Sequence, residues 1–383
     1  MSYSIEPVIT DPNRRPVFYV TWESTLKCNL DCSYCGSHDN TVPHPSLDEC
    51  KTTIDFLVEY INLYIMRRNK EQRHASINIF GGESLFHPHI VEILDYFEEK
   101  HKPYKDQWTL GLNTVTNAVV KQRIWDKIVD KIDYWTVSYH TESTQEQQDL
   151  MRRNILDLKN RGKMFQVSIL LHTKHWDNCM QMIDWCEDND IPYLPRQIDH
   201  PWTSFEFYYT TEQAKWLKEM YNNNNKKPAC GDCSCETSNT NIMDTVKLIG
   251  ESTIKMVNMS NKGRQCCGGI PLHQDEDYSS TVKYVDNKFK GWSCGVNYFY
   301  VFIKQNTKEI FTNKDCQMGF NGKVEPIGHL DNYQELLDYT KTRLETNTLP
   351  TITCAKRTCL CGICAPKAKD KTTFDRIFAK YVD

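Results

Sequence analysis

The sequence predicts an α/β chain: a partial (β/α)6 TIM-like barrel followed by a small cysteine-rich α+β domain. Three observations predict it. Strand-like and helix-like runs alternate six times within about the first 200 residues of a 383-residue chain, the signature of a parallel sheet. A cysteine loop, a Gly-Gly-Glu turn and Ser138 all fall at the carboxyl ends of their strand runs, where such folds do their chemistry. The alternation then breaks after about residue 221, and Gly, Cys and aromatic residues crowd the chain from 261 onward.

The elements follow in order. Residues 17–22 (VFYVTW) are β-branched and aromatic with no breaker, and read as a buried strand. A helix begins near Ser46, where Ser46-Leu47-Asp48-Glu49 has capping-box spacing, and Ile54, Leu57, Ile61 and Ile65 recur at helical intervals. Strands at 76–80, 108–113, 134–139, 165–171 and 191–195 alternate with helices near 89–101, 120–131, 143–161, 177–187 and 211–221. The fourth helix is expected to start at Ser143, with Glu146 three residues on, and to stop at Gly162. Right-handed crossovers curl such a series into a barrel. The boundaries predicted are an N-terminal extension (1–16), the barrel (17–221), a bridging insertion (222–260), a cysteine-rich domain (261–366) that includes the strand-like run 298–304, and a basic tail (367–383).

Composition narrows the function. With 46 basic and 50 acidic side chains, the net charge of −4 predicts no general attraction to nucleic acid or anionic membrane. No apolar run reaches the roughly 18 residues that span a bilayer, and the polar start MSYSIEPVITDPNRRP lacks a signal-peptide core, so a cytoplasmic protein is expected. Seventeen cysteines in a reducing compartment point to metal or iron–sulfur sites rather than disulfides. Cys50, Cys179 and Cys186 fall in helix-like stretches and read as small buried apolar residues.

Cys28-x3-Cys32-x2-Cys35 supplies three thiolates within eight residues. Three is one short of a closed zinc site and one short of a fully ligated four-iron cluster, which leaves a coordination position open. Zinc completed by His38 or a distant cysteine is the alternative on spacing alone. Tyr34 directly precedes the third cysteine, and the loop directly follows the first strand. Cys28-x3-Cys32-x-Tyr34-Cys35 in this position resembles the signature of the radical SAM superfamily. The resemblance covers roughly residues 17–215. It implies a catalytic 4Fe–4S cluster that reduces S-adenosylmethionine to methionine and a 5′-deoxyadenosyl radical, which takes a hydrogen atom from substrate.

The resemblance extends to other strand ends. Gly81-Gly82-Glu83 looks like the family's GGE motif, which binds the amino group of the methionine moiety. Paired glycines permit close backbone approach, and Glu83 offers a carboxylate. Ser138 matches the fourth-strand polar residue that contacts ribose, Asn113, Thr116 and Asn117 resemble the third-strand end, and Arg196 the sixth. Cofactor binding is thus expected at Tyr34, Gly81, Gly82, Glu83, Asn117, Ser138 and Arg196. His140 is a further candidate group for substrate binding or proton transfer.

Eight further cysteines lie near the carboxyl end: Cys266, Cys267, Cys294, Cys316, Cys354, Cys359, Cys361 and Cys364. The region resembles SPASM and twitch extensions, which carry auxiliary clusters, although the run 354–364 departs from the usual seven-cysteine spacing. At least one auxiliary 4Fe–4S cluster is expected, on Cys294, Cys316 and members of that run, with a structural zinc knuckle as the alternative. Cys230, Cys233 and Cys235 form either a further metal site or a thiol-bearing loop. The implied partners are an external electron donor such as flavodoxin or ferredoxin and a peptide or small-molecule substrate, with net oxidation or crosslinking favoured. Two other readings stay open: a non-catalytic zinc or iron–sulfur protein, and an RNA-modifying radical SAM enzyme, for which the basic tail with Lys367, Lys369 and Lys371 speaks weakly.

Overall fold

The computed structural model describes residues 17–36, 38–68, 70, 73–198, 209–213, 215–217, 219, 291–312, 325–353, 367–368, 370–372 and 375. The extension 1–16, the insertion 222–260 and Cys266, Cys267, Cys316, Cys354, Cys359, Cys361 and Cys364 lie outside the described residues.

Strand alternation builds the centre. In β1 (Phe18–Thr25), Phe18, Val20 and Trp22 are buried in the main core while Tyr19, Thr21 and Glu23 are half-buried on the opposite face. β2 (His74–Gly81), β3 (Thr109–Thr116), β4 (Tyr134–Tyr139), β5 (Met164–Leu171) and β6 (Tyr193–Gln197) follow, all parallel and hydrogen-bonded in sequence order. The crossovers are α1 (Leu47–Ile65), α2 (Ile90–His101), α3 (Gln122–Ile128), α4 (Gln145–Asn160) and α5 (Trp176–Asp188). Helices cover one sheet face. The other carries Thr21, Asn78, Thr136 and Ser138, all half-buried, and forms a polar inner wall.

Local chemistry explains the helix boundaries. Ser46 caps α1 through the expected capping box with Glu49, and Ile54, Leu57, Ile61 and Ile65 are all buried. Each such side chain contributes roughly 1.5–3 kcal/mol by leaving water. Cys50 in α1, and Cys179 and Cys186 in α5, are fully buried. The start of α4 differs from the expectation by one residue: Thr144 is the cap and Gln147 its partner, not Ser143 and Glu146. The Ser143 hydroxyl instead donates to the His140 carbonyl at 2.6 Å, closing the turn after β4.

The later chain holds β7 (Ser293–Cys294), β8 (Tyr300–Lys304), β9 (Glu309–Phe311), β10 (Gly328–His329), α6 (Tyr333–Glu345), β11 (Ile352–Thr353) and β12 (Lys367–Ala368). The strand expected within the cysteine-rich domain, 298–304, continues the barrel's sheet instead: β8 pairs parallel with β1, and β9 and β10 add antiparallel, giving nine strands. It covers the edge β1 would otherwise expose. Gln305 locks the junction, accepting from the Trp22 indole at 2.9 Å and the Thr53 hydroxyl at 2.7 Å. Buried Arg68 donates to the Tyr298 carbonyl at 2.9 Å and lies 4.8 Å from the Phe299 ring centre.

The carboxyl ends of β1 and β2 meet backbone to backbone. Gly82 N–H donates to the Thr25 carbonyl at 2.9 Å and Glu83 N–H to the Lys27 carbonyl at 2.8 Å. A β-carbon on Gly82 would sit 2.4 Å from the Lys27 carbonyl oxygen and 2.5 Å from that of Leu26. Gly82→Ala is therefore expected to cost about 2 kcal/mol or more in urea unfolding. Gly162→Ala, at φ 63° with nothing within 4 Å, should cost about 1 kcal/mol. Equal unfolding midpoints for the two variants would refute the close-approach account.

Candidate active site

The loop leaving β1 holds Cys28, Cys32 and Cys35, all free thiols. Cys32 is buried and the other two are half-buried. Leu30, Cys32 and Tyr34 form a small apolar cluster with Ile198, and Cys28, Cys35 and Leu170 pack against it. Cys35 N–H closes a turn onto the Cys32 carbonyl at 3.0 Å. Cys28 N–H donates to the Asn40 side chain at 2.9 Å, and its sulfur accepts from Leu30 N–H at 3.4 Å. Burial pushes the thiols up, Cys28 to about 11 and Cys32 to about 12. A bound cation inverts that preference and makes them thiolates.

The loop is gripped from three neighbouring strand ends. After β3, Asn117 donates to the Asn29 side-chain oxygen at 2.8 Å and lies 3.9 Å from the Cys28 sulfur, while Asn29 donates to the Val119 carbonyl at 2.9 Å. After β4, Glu142 accepts from both Ser33 N–H and the Ser33 hydroxyl, each at 2.6 Å. Tyr34 pairs with His140 Nδ1 at 2.8 Å and meets the His172 ring edge to face at 5.7 Å. Desolvation pushes His140 down to about 4, so it is neutral at pH 7. At Glu142, desolvation acts upward, but the Ser33 and His172 hydrogen bonds prevail and hold it below the usual carboxylate range.

Glu83 turns inward. Its Oε1 accepts from Leu85 N–H at 3.0 Å and the Thr116 hydroxyl at 2.9 Å, and its Oε2 from Asn117 N–H at 2.6 Å. The carboxylate thus ties the β2 turn to the end of β3. Ser138 stands half-buried on the inner face beside Ser168, and Arg196 is exposed on β6 opposite Leu170.

Of the expected cofactor-binding residues, Tyr34, Gly81, Gly82, Glu83 and Asn117 gather around the cysteine loop. Ser138 and Arg196 stand on the inner wall. Asn29, Ser33, Asn40, Glu142 and His172 also hold the loop; no spacing in the sequence marks them. Cys294 is buried in β7 within a cluster of Tyr300, Phe302 and Phe311, against which Tyr19 and Phe80 pack. β7 pairs with both β11 and β12, the strands that bracket the 354–364 cysteine run.

The donor set fits an iron–sulfur cluster. Among the described residues, the one set of three Cys, His, Asp or Glu side chains with ligand atoms all within 4.8 Å of one another is Glu142, His172 and His175. The three cysteine sulfurs are spread wider. Thiolates on one tetrahedral zinc, at about 2.3 Å each, lie roughly 3.8 Å apart. A four-iron cluster, with each thiolate on its own iron, accommodates the wider spread.

Removing the Glu83 carboxylate leaves two buried backbone N–H groups without acceptors. Glu83→Ala is expected to lose roughly 2–4 kcal/mol in urea unfolding without any ligand present. Burial pushes the Glu83 carboxyl up to about 7, against 4.5 in the unfolded chain. Its contribution is therefore full below about pH 4.5 and declines as pH rises through 7. The deficit of the variant should be larger at pH 5 than at pH 8, and an unchanged ligand-free stability would contradict the inward anchor.

No family model matches the chain. In sequence the chain is 30% identical over 151 residues to GTP 3',8-cyclase of Chlorobaculum tepidum, a match covering 38% of this chain and 40% of that enzyme. In fold it is similar to anSMEcpe with bound AdoMet, with TM-score 0.50, 11% identity, and 95% of this chain and 92% of that one covered. Streptococcus suis SuiB bound to precursor peptide SuiA gives TM-score 0.49 and 13% identity, over 91% of this chain and 71% of that one. No described helix is long and apolar enough to cross a membrane. The chain thus shares its fold with anSMEcpe, and over 151 residues, 40% of that enzyme's length, it is similar in sequence to GTP 3',8-cyclase; in this fold the parallel sheet presents the three-cysteine loop.

Proposed function

We propose that this enzyme cleaves S-adenosylmethionine reductively at a 4Fe–4S cluster held by Cys28, Cys32 and Cys35, and that the resulting radical abstracts hydrogen from a peptide or small metabolite. The observation that carries the reading is the three-cysteine loop fixed at the carboxyl edge of the parallel sheet, facing the polar inner wall. When bound, the cluster supplies the electron that breaks the carbon–sulfur bond of S-adenosylmethionine.

The chain's own residues hold and shelter the reactants. Apolar packing around Cys32, Leu30, Tyr34 and Ile198 keeps water from one side of the loop. Backbone at Gly81 and Gly82 seats the loop, leaving Ser138 and Arg196 to meet a nucleoside from the inner wall. Deeper in, Asn113 donates to the Ser76 hydroxyl at 2.7 Å while its buried side-chain oxygen accepts nothing among the described residues. With Thr21, Asn78 and Thr136 also half-buried there, the wall favours a substrate rich in N–H and O–H groups, as peptides and polar metabolites are.

An auxiliary 4Fe–4S cluster on Cys294, Cys316 and members of the 354–364 run belongs to the same proposal. What supports it is the pairing of β7 with β11 and β12, which brings Cys294 beside both ends of that run. Those cysteines would hold a group able to take up an electron, chemistry that would favour net oxidation or crosslinking. An external flavodoxin or ferredoxin supplies the first electron.

The test uses anaerobically reconstituted full chain with reductant and S-adenosylmethionine. Wild type is expected to release 5′-deoxyadenosine, and C28A/C32A/C35A to fall to background. Equal cleavage by the triple variant, or zinc without iron and sulfide in anaerobically purified protein, would overturn the proposal.

A further inference from the structure

We propose that Glu142 keeps the reduction potential of the cluster low by placing a negative charge on the three-cysteine loop and withdrawing the Ser33 N–H from it. The inference rests on the cluster assignment above. Ser33 lies between Cys32 and Cys35, inside the turn that the Cys35 N–H closes. Backbone N–H groups in such loops raise a cluster's potential when they donate to its sulfurs. The Ser33 N–H is spent elsewhere: it donates to Glu142 Oε2, and the Ser33 hydroxyl donates to Oε1. The carboxylate accepts both and stays beside the loop as a full charge, which opposes the arrival of an electron.

His172 holds Glu142 from the far side without cancelling that charge. Its Nδ1 accepts the Lys174 N–H at 3.2 Å, so in the neutral ring Nε2 carries the proton and points to Glu142 Oε1 at 3.3 Å. Burial lowers the His172 pKa and keeps the ring neutral at pH 7. The same tautomer argues against an ion between Glu142, His172 and His175, although their ligand atoms lie within 4.8 Å. A protonated Nε2 has no lone pair to give. Glu142 touches no reacting atom; it is a positioning residue whose effect reaches the cluster through Ser33.

The experiment is a redox titration of the reconstituted full chain, read by the electron-spin signal of the reduced cluster, without S-adenosylmethionine. In E142Q the ratio of reduced to oxidised cluster at a fixed solution potential should rise about tenfold, an upward shift of about 59 mV for a one-electron couple. E142D, which retains the charge, should stay near wild type. An E142Q protein with full iron and an unchanged midpoint overturns the inference. So does an E142Q protein that loads no iron while E142D loads normally, because Glu142 would then serve loop assembly alone. Absence of iron and sulfide from wild type would instead remove the cluster assignment itself.

Discussion

The backbone contact between the carboxyl ends of β1 and β2 governs where the other site groups stand. Two hydrogen bonds, from Gly82 to Thr25 and from Glu83 to Lys27, fix the chain immediately before Cys28. The approach is so close that a β-carbon on Gly81 would lie 2.0 Å from the Thr25 carbonyl oxygen. Only glycine builds this junction. The Glu83 that follows then reaches the end of β3 through Thr116 and Asn117, and Asn117 returns to Asn29 beside Cys28. Three strand ends close into one ring of hydrogen bonds, so the first cysteine is placed by the sheet rather than by its own loop. In this protein the glycine pair has a structural duty that precedes any ligand.

Much of the fold was legible because its signals are local. Short β-branched and aromatic runs alternating with helix-like runs marked the six barrel strands, and the Ser46–Glu49 capping box marked α1. The one-residue difference at α4 arose because Ser143 and Thr144 both suit a cap; Thr144 takes the cap while Ser143 turns back to the His140 carbonyl. β8 was visible as a strand but not as a neighbour of β1. A run such as YFYVFIK alternates in the same way wherever it pairs. Its place depends on the open edge of β1, on Arg68 beneath Tyr298, and on Gln305 bridging Trp22 and Thr53. Apart from Gln305, which directly follows β8, those partners lie far from it in the chain.

The site divides along the same line. Three cysteines proposed to share one cluster from one loop must keep a tight spacing, and spacing can be read. The groups that hold the loop come from other strand ends: Ser33 and Glu142 are 109 residues apart, and Asn29 and Asn117 are 88. Glu83 shows a subtler limit. Its position was evident, yet its carboxylate faces the protein interior because two buried backbone N–H groups need an acceptor there. Residue type and position did not reveal which of two needs the side chain answers.

The two ends of the described chain are joined through adjacent strands of a single sheet. β1 carries Cys28, Cys32 and Cys35 beyond its carboxyl end. Its parallel neighbour β8 presents Tyr300 and Phe302 to the cluster that buries Cys294. Phe302 sits between Phe80 of β2, at 5.9 Å, and Phe311 of β9, at 6.3 Å, so an aromatic layer runs from the barrel's inner face to the Cys294 strand. Packed rings of this kind resist displacement, since any gap forfeits dispersion contacts on both sides. The separation between the cysteine loop and Cys294 is therefore set by strand pairing and ring packing.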